Sequence, residues 1–199
     1  MRWFATFFLL IFFISQTIGA EENVRPPDYE IRFSVGARSM IPAGLLSIPC
    51  TLVLINSIDI GDFFRMQVDI SPYNFIEERR FLRASFSSGV ALKVYGSGAK
   101  QNGGLEVIVP ALVDSAYISG EGLEAGDGYS DTIKWFLVGP SSGADLTYWF
   151  NNGIGFNASF KAGYLFLTAD MGSEYTPGYS WYDDVDGFLD LALTLGVAF

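Results

Sequence analysis

The chain has 199 residues, of which 50% are hydrophobic, 16% aromatic and 17% charged, and its formal net charge is −10. This many aromatic residues exclude a disordered chain, and a single cysteine excludes a scaffold built on disulfides. The acidic excess disfavours nucleic acid as a partner, and the absence of histidine removes Ser-His-Asp hydrolysis and His-ligated zinc.

Residues 1–20 have the pattern of a secretory signal peptide. Arg2 precedes a dozen nearly unbroken apolar residues, Trp3 to Ile14, and the small residues Gly19 and Ala20 follow. An uncleaved membrane anchor is the alternative, but the apolar run is shorter than the roughly 20 residues that a spanning helix needs. We therefore expect residues 1–20 to direct export and residues 21–199 to form one domain.

Beyond residue 20 the apolar residues recur at every second position instead of in long runs. Such alternation marks the segments Ile31–Arg38, Phe64–Ser71, Leu82–Tyr95 and Ile154–Phe166. A period of two predicts strands with one apolar face, and the opposite face here carries small, polar or charged residues. Because lipid cannot hydrogen-bond an open sheet edge, a membrane protein made of strands must close into a barrel.

The last segment shows the clearest alternation. Apolar residues occupy every odd position from Leu189 to Phe199, whereas Asp190, Thr194 and small residues occupy the even ones. A strand of about eleven residues is long enough to cross a bilayer at a tilt. We expect one face of this strand to meet lipid.

The patterns together predict an all-β chain that forms a single antiparallel up-and-down transmembrane β-barrel of eight strands. The predicted strands are 29–39, 60–71, 80–96, 104–118, 131–139, 144–151, 153–168 and 187–199. Met40–Asp59 fits this scheme badly, as an extension of the first two strands or as an additional strand. An even strand count places both chain ends on one side, with the Asn151–Gly153 turn there and the 172–186 loop outside.

The last strand carries a resemblance to a known class of proteins. Its alternate apolar residues and terminal aromatic are similar to the C-terminal signal that the outer-membrane assembly machinery recognises, here Leu191, Leu193, Leu195, Val197 and Phe199. With the signal peptide and the mature length, the chain resembles the small outer membrane barrels of the OmpW, OmpX and OmpA-barrel type. The resemblance implies location in the outer membrane of a two-membrane bacterium, with the bilayer and the assembly machinery as partners.

Charged residues opposite the apolar stripes should lie inside such a barrel. This predicted set is Arg32, Arg38, Arg65, Asp69, Arg83, Lys93, Lys161 and Asp190. One interpretation is a polar lumen that selects ions, and the other is a set of salt bridges that fill the lumen. We favour the filled lumen, because side chains can fill a barrel of about eight strands.

Aromatic residues cluster just before the last strand. Tyr175, Tyr179, Trp181 and Tyr182 either contact a partner outside the cell or belong to the aromatic girdle at the membrane interface. We expect further girdle residues at Trp135, Tyr148 and Trp149.

Four functions follow from these patterns. The first is a porin-like barrel without enzymatic activity that conducts small hydrophobic molecules, as in the OmpW type, and the second is a surface-exposed adhesin with acidic, aromatic loops. The third, an enzyme that modifies lipid A, is disfavoured because the barrels of that type use histidine. The fourth is a soluble calycin with its apolar stripe turned inward, disfavoured by the shortage of surface charge. We expect no cofactor, no metal site and no catalytic residue.

Overall fold

The computed structural model describes residues 29–42, 50–61, 63–71, 80–96, 98–123, 130–172 and 186–199. Within these ranges it contains one four-residue helix, α1 (Ala99–Asn102), and eight strands: β1 Tyr29–Pro42, β2 Cys50–Ile60, β3 Phe64–Ser71, β4 Arg80–Tyr95, β5 Gly104–Leu123, β6 Ser130–Trp149, β7 Gly155–Asp170 and β8 Gly187–Ala198. Each strand pairs antiparallel with the next, and β8 pairs with β1, so the sheet closes. The predicted eight-stranded up-and-down barrel is confirmed.

The apolar stripe of each strand points outward. In β8, Leu193 is 63% exposed, whereas its neighbour Thr194 is 1% exposed. The same outward exposure holds in other strands, for instance at Phe33, Leu54, Phe86, Val113 and Phe156. An apolar exterior is the surface of a transmembrane barrel, so the alternative of a soluble calycin is wrong. No helix in the described ranges is long and apolar enough to span a membrane.

The two ends of the barrel differ in their connections. Backbone hydrogen bonds of 3.1 and 2.9 Å join Ile31 and Phe199, so both described chain ends lie at one end, which we call the turn side. The short connections after β2, β4 and β6 lie there, and Gly61 (φ 63°) adopts the left-handed conformation that a tight turn requires. The strand ends that flank the other four connections lie at the opposite end, which we call the loop side. The turn at 151–153 lies at the turn side, and the ends of β7 and β8 that flank the predicted outer loop lie at the loop side; residues 173–185 of that loop lie outside the described residues.

Two strand assignments from the sequence were wrong, although the count of eight was right. One of the two interpretations of Met40–Asp59, an additional strand, is right, because β2 spans Cys50–Ile60. The predicted strand at 60–71 therefore contains the last residue of β2, a connection and β3. The predicted fifth and sixth strands are one continuous strand, β6, which passes through Gly139–Gly143 without turning. Strand β2 escaped detection because Val53 and Ile55 make its inner face apolar as well, which hides the alternation.

Candidate functional site: the barrel interior

The eight charged residues predicted to lie inside the barrel all face its lumen. Seven of them are less than a tenth exposed, and Lys93 keeps 13% of its side chain accessible. They join further charged residues in two groups, which we call the turn-side cluster and the loop-side cluster. Burial of this many charges is costly unless each is paired, so the pairing determines what the lumen can do.

The turn-side cluster joins side chains from six consecutive strands: Glu30, Arg32, Asp59, Arg65, Lys93, Glu106 and Asp145. Arg32 Nη2 lies 2.7 Å from Glu30 Oε2 and 2.7 Å from Glu106 Oε1. Lys93 Nζ contacts the same two glutamates at 2.7 and 3.4 Å. These four side chains therefore form a closed ring of alternating charge.

Arg65 connects the two carboxylates at the other side of this cluster. Its Nε donates to Asp59 Oδ1 at 2.5 Å and its Nη2 donates to Asp59 Oδ2 at 2.9 Å. Its Nη1 pairs with Asp145 of β6, and Asp59 also pairs with Arg32. Because the contact with Asp59 is bidentate, the guanidinium plane is fixed across the lumen.

The loop-side cluster contains Arg38, Asp69, Arg83, Asp114, Lys161 and Asp190, from six strands. Arg83 donates to both carboxylate oxygens of Asp190, at 2.8 and 3.0 Å. Arg38 Nε lies 3.2 Å from Asp190 Oδ1 and its Nη1 pairs with Asp69. Asp190 therefore accepts two charge-assisted hydrogen bonds from Arg83 and forms an ion pair with Arg38.

Lys161 completes the loop-side cluster. Its Nζ lies 2.8 Å from Asp114 Oδ2 and 3.2 Å from the hydroxyl of Ser87. Ser141 donates to the same aspartate at 3.0 Å. The lumen thus combines six basic with seven acidic side chains, which leaves little net charge to attract ions of either sign.

Apolar layers lie beyond both clusters. At the turn side, the fully buried Trp149 packs with Ala99 and Ala198, and Lys100 Nζ lies 5.5 Å from the centre of its ring. At the loop side, a layer of apolar residues fills the lumen: Ala116, Ile118, Trp135, Leu137, Leu165 and Phe188, with Met40 and Leu167 against them. Apolar residues therefore cover the charged middle of the lumen at both ends, and of the charged residues in the two clusters only Lys93 keeps more than a tenth of its side chain accessible.

A small cavity lies between the two charged clusters. Its volume is about 20 Å³, which is room for about one water molecule. Arg65, Asp145 and Lys161 line it together with Ser57 and Ser142. This space is too small for a hydrated ion.

Sequence reasoning missed the five acids that pair with the predicted set: Glu30, Asp59, Glu106, Asp114 and Asp145. For three of them, the alternation of residues along the strand indicates that the side chain faces the lumen. Glu30 has the parity of Arg32, and Glu106 and Asp114 lie opposite the apolar stripe of β5. Asp59 and Asp145 lie in the two regions whose strands were assigned wrongly. Within the described ranges, no three Cys, Asp or Glu side chains are arranged to hold a metal ion.

The aromatic girdle differs from the sequence expectation. Tyr148 is exposed on the outer wall beside Phe150, with ring centres 5.5 Å apart, and suits a girdle position. Trp135 and Trp149 are buried inside the lumen, so their assignment to the girdle was wrong. Their side chains belong to the face of β6 that points into the lumen. Tyr175, Tyr179, Trp181 and Tyr182 lie outside the described residues.

The predicted assembly signal lies on the outer face of β8. Leu193, Leu195, Val197 and Phe199 are exposed and Leu191 is half-buried on that face. Aromatic rings also pack where β1 and β8 close the barrel: Phe33 and Phe199 contact each other edge to face, with their ring centres 6.2 Å apart. Recognition by an assembly machinery remains a prediction.

No protein-family model and no curated protein matches the chain. Its fold is similar to that of Neisserial surface protein A (NspA), with a TM-score of 0.54 and 13% identity over 85% of this chain and 95% of that one. A major outer membrane protein of Thermus thermophilus (TM-score 0.49, 15% identity, 86% and 99% covered) and the N-terminal β-barrel domain of Pseudomonas aeruginosa OprF (0.46, 14%, 85% and 97%) also match. At these identities the likeness to NspA shows the barrel fold alone.

Proposed function

We propose that the chain is an integral outer-membrane β-barrel protein without enzymatic activity, whose lumen is sealed against ions. The observation that carries this proposal is the pairing of thirteen charged side chains across the lumen, between two apolar layers. The apolar exterior supports insertion in a bilayer, and the barrel fold shared with NspA supports the outer membrane as its location. Assembly through the C-terminal strand fits this location.

Planar-bilayer recording tests the sealed lumen. The full chain, reconstituted and shown to be folded by its heat-modifiable migration on gels, should give no stable open-channel current in KCl. An engineered barrel with a water-filled lumen in the same lipid serves as the positive control. A steady current from the folded chain would overturn the proposal, as would recovery of the protein in the soluble periplasmic fraction.

A small hydrophobic molecule is a candidate ligand of the loop side. The supporting observation is the apolar layer that contains Trp135, Leu137 and Phe188, where Trp135 and Phe188 lie 5.7 Å apart between ring centres. In a chain whose only tryptophan is Trp135, an apolar bromoalkane should quench fluorescence with saturation. Leu137→Lys should abolish the saturable part, and quenching that stays linear in both chains would reject this ligand.

Surface contact is the alternative role. The strand ends that flank four of the connections lie at the loop side, opposite the described chain ends, and this supports a barrel that presents loops to the outside. Replacing residues 172–186 with a Gly/Ser linker of equal length should abolish adhesion to a host-cell surface and leave barrel migration intact. Unchanged adhesion would reject this role.

A further inference from the structure

The middle of β6 has a sequence that is typical of a turn. Gly139-Pro140-Ser141-Ser142-Gly143 interrupts a strand that continues from Ser130 to Trp149. Turn residues in the centre of a membrane-spanning strand contradict local preference. Such conflicts between local sequence and fold occur at functional or strained sites.

Strand pairing is interrupted on both sides of this segment. Between β5 and β6, Ile108 pairs with Asp145 and Ala111 pairs with Ser142, but the two positions between them are unpaired. Between β6 and β7, the two positions at Gly139 and Pro140 are likewise unpaired. The register is the same before and after each gap, so the strands stay aligned across both gaps.

The two prolines explain these gaps. Pro110 of β5 has no N–H to donate to β6, and Pro140 cannot donate to β7. The Ser142 hydroxyl donates to the Pro110 carbonyl at 2.7 Å and replaces one of the lost bonds. Unpaired backbone groups in hydrocarbon are costly, so the two prolines weaken the wall at this segment.

The lumen cavity lies directly behind the interrupted wall. Pro110 and Ser142 line it from the wall, whereas Ser57, Asp145 and Lys161 line it from the lumen. The neighbours of Ser142 across both ladders are alanines, at 111 and 162, and the exposed Phe160 is the aromatic residue of the outer wall that lines the cavity. One strand therefore separates the cavity from the bilayer.

We propose that Gly139–Ala144 is a lateral opening of the barrel, through which the cavity takes up the polar head of a small uncharged amphiphile dissolved in the membrane. The charged groups at the cavity are already paired, Lys161 with Asp114 and Arg65 with Asp145, so a hydroxyl head suits it better than an ion does. This inference goes beyond the sealed lumen proposed above, because the barrel closes along its axis and opens through its side.

Cysteine accessibility in lipid nanodiscs tests the opening. In a Cys50→Ser background, which removes the native thiol, Ser57→Cys places a thiol in the cavity. N-ethylmaleimide, which is uncharged and soluble in membranes but larger than the closed cavity, should modify the thiol when the wall opens, whereas a charged methanethiosulfonate reagent should not. Ser87→Cys, which is buried in the lumen but does not line the cavity, is the matched control and should react with neither reagent.

Two further variants change the wall in opposite directions. Pro110→Ala restores the missing donor and should slow the modification of Ser57→Cys about tenfold, which is the scale of one hydrogen bond. Ser142→Ala removes the bond to the Pro110 carbonyl and should accelerate it.

Three outcomes would overturn the opening: an unreactive Ser57→Cys in a folded barrel, equal rates with and without Pro110→Ala, or equal reaction with the charged reagent. Gel migration and vesicle insertion are measured on the same samples. A chain that does not insert contradicts the proposed membrane function, whereas a protected thiol in an inserted barrel contradicts only the opening.

Discussion

Asp190→Asn is the substitution that most directly tests whether the charges in the lumen are buried and paired. The Asp190 carboxylate is 1% exposed and accepts two hydrogen bonds from Arg83, at 2.8 and 3.0 Å. It also lies 3.2 Å from Arg38 Nε. The amide keeps the shape of the side chain but removes its charge, so two buried arginines lose their shared counter-ion.

The expected loss of folding stability depends on which hydrogen-bond and ion-pair partners each arginine retains. Arg38 retains the Asp69 carboxylate, whereas Arg83 is left with two uncharged acceptors, the amide oxygen at position 190 and the hydroxyl of Ser85 at 3.5 Å. Removing one partner of a buried ion pair costs about 3–5 kcal/mol, because the remaining charge is desolvated without compensation. We expect Asp190→Asn to lower the free energy of unfolding by this amount.

Equilibrium unfolding in urea, in phospholipid vesicles, measures the change through tryptophan fluorescence and gel migration. Asp186→Asn, at the exposed residue just before β8, is the matched control and should change the free energy of unfolding by no more than about 0.5 kcal/mol. A loss below about 1 kcal/mol for Asp190→Asn, the scale of solvated surface pairs, would refute a desolvated lumen.

Two other substitutions test the wall. Leu193→Arg places a charge on the lipid-facing side and should cost about 2–4 kcal/mol in the vesicle unfolding assay, with Leu193→Phe as the apolar control; equal stability of the two would argue against lipid contact. Gly36→Ala tests the closure of β1 on β8, because a Cβ at Gly36 would lie 2.6 Å from the Thr194 Cα. We expect a reduced yield of the heat-modifiable form when Gly36→Ala refolds into vesicles, and an unchanged yield would contradict the close approach.

The outer strands were predictable from sequence because their two faces differ in polarity. In β8 from Leu189 onward, every outward residue is apolar and every inward one is small or polar, so the alternation alone predicted both the strand and its two faces. In β2 the inward residues Val53 and Ile55 are apolar too, and no alternation marks the strand. Alternation of apolar and polar residues therefore marks a strand only where the two faces of the strand contact different surroundings.

The division of β6 into two strands failed for a different reason. Local turn preference at Gly139–Gly143 predicted a reversal, but pairing of Ser141 and Ser142 with both neighbouring strands holds the segment extended. Tertiary pairing therefore overrides local preference at this point. The same error hid Asp145, whose strand was assigned as a short hairpin arm.

The sequence predicted part of the charged clusters, namely which residues face the lumen but not how they pair. Alternation identified the eight residues of the predicted set, but no sequence pattern shows which acid from a distant strand meets which base. Arg32 and Glu106, for example, are 74 positions apart and meet only because β1 and β5 face each other across the closed lumen. Such pairs follow from barrel closure and strand stagger, which sequence periodicity does not encode.

The orientation of the strands is the central claim, and spin labels at two adjacent positions of β8 test it most directly. In a Cys50→Ser background reconstituted in lipid, a label at Leu193→Cys should collide with oxygen dissolved in the bilayer and be protected from a water-soluble nickel complex. A label at Thr194→Cys, inside the lumen, should be protected from both. Oxygen access at position 194 together with nickel access at position 193 would contradict the account, because the apolar stripe would then face inward.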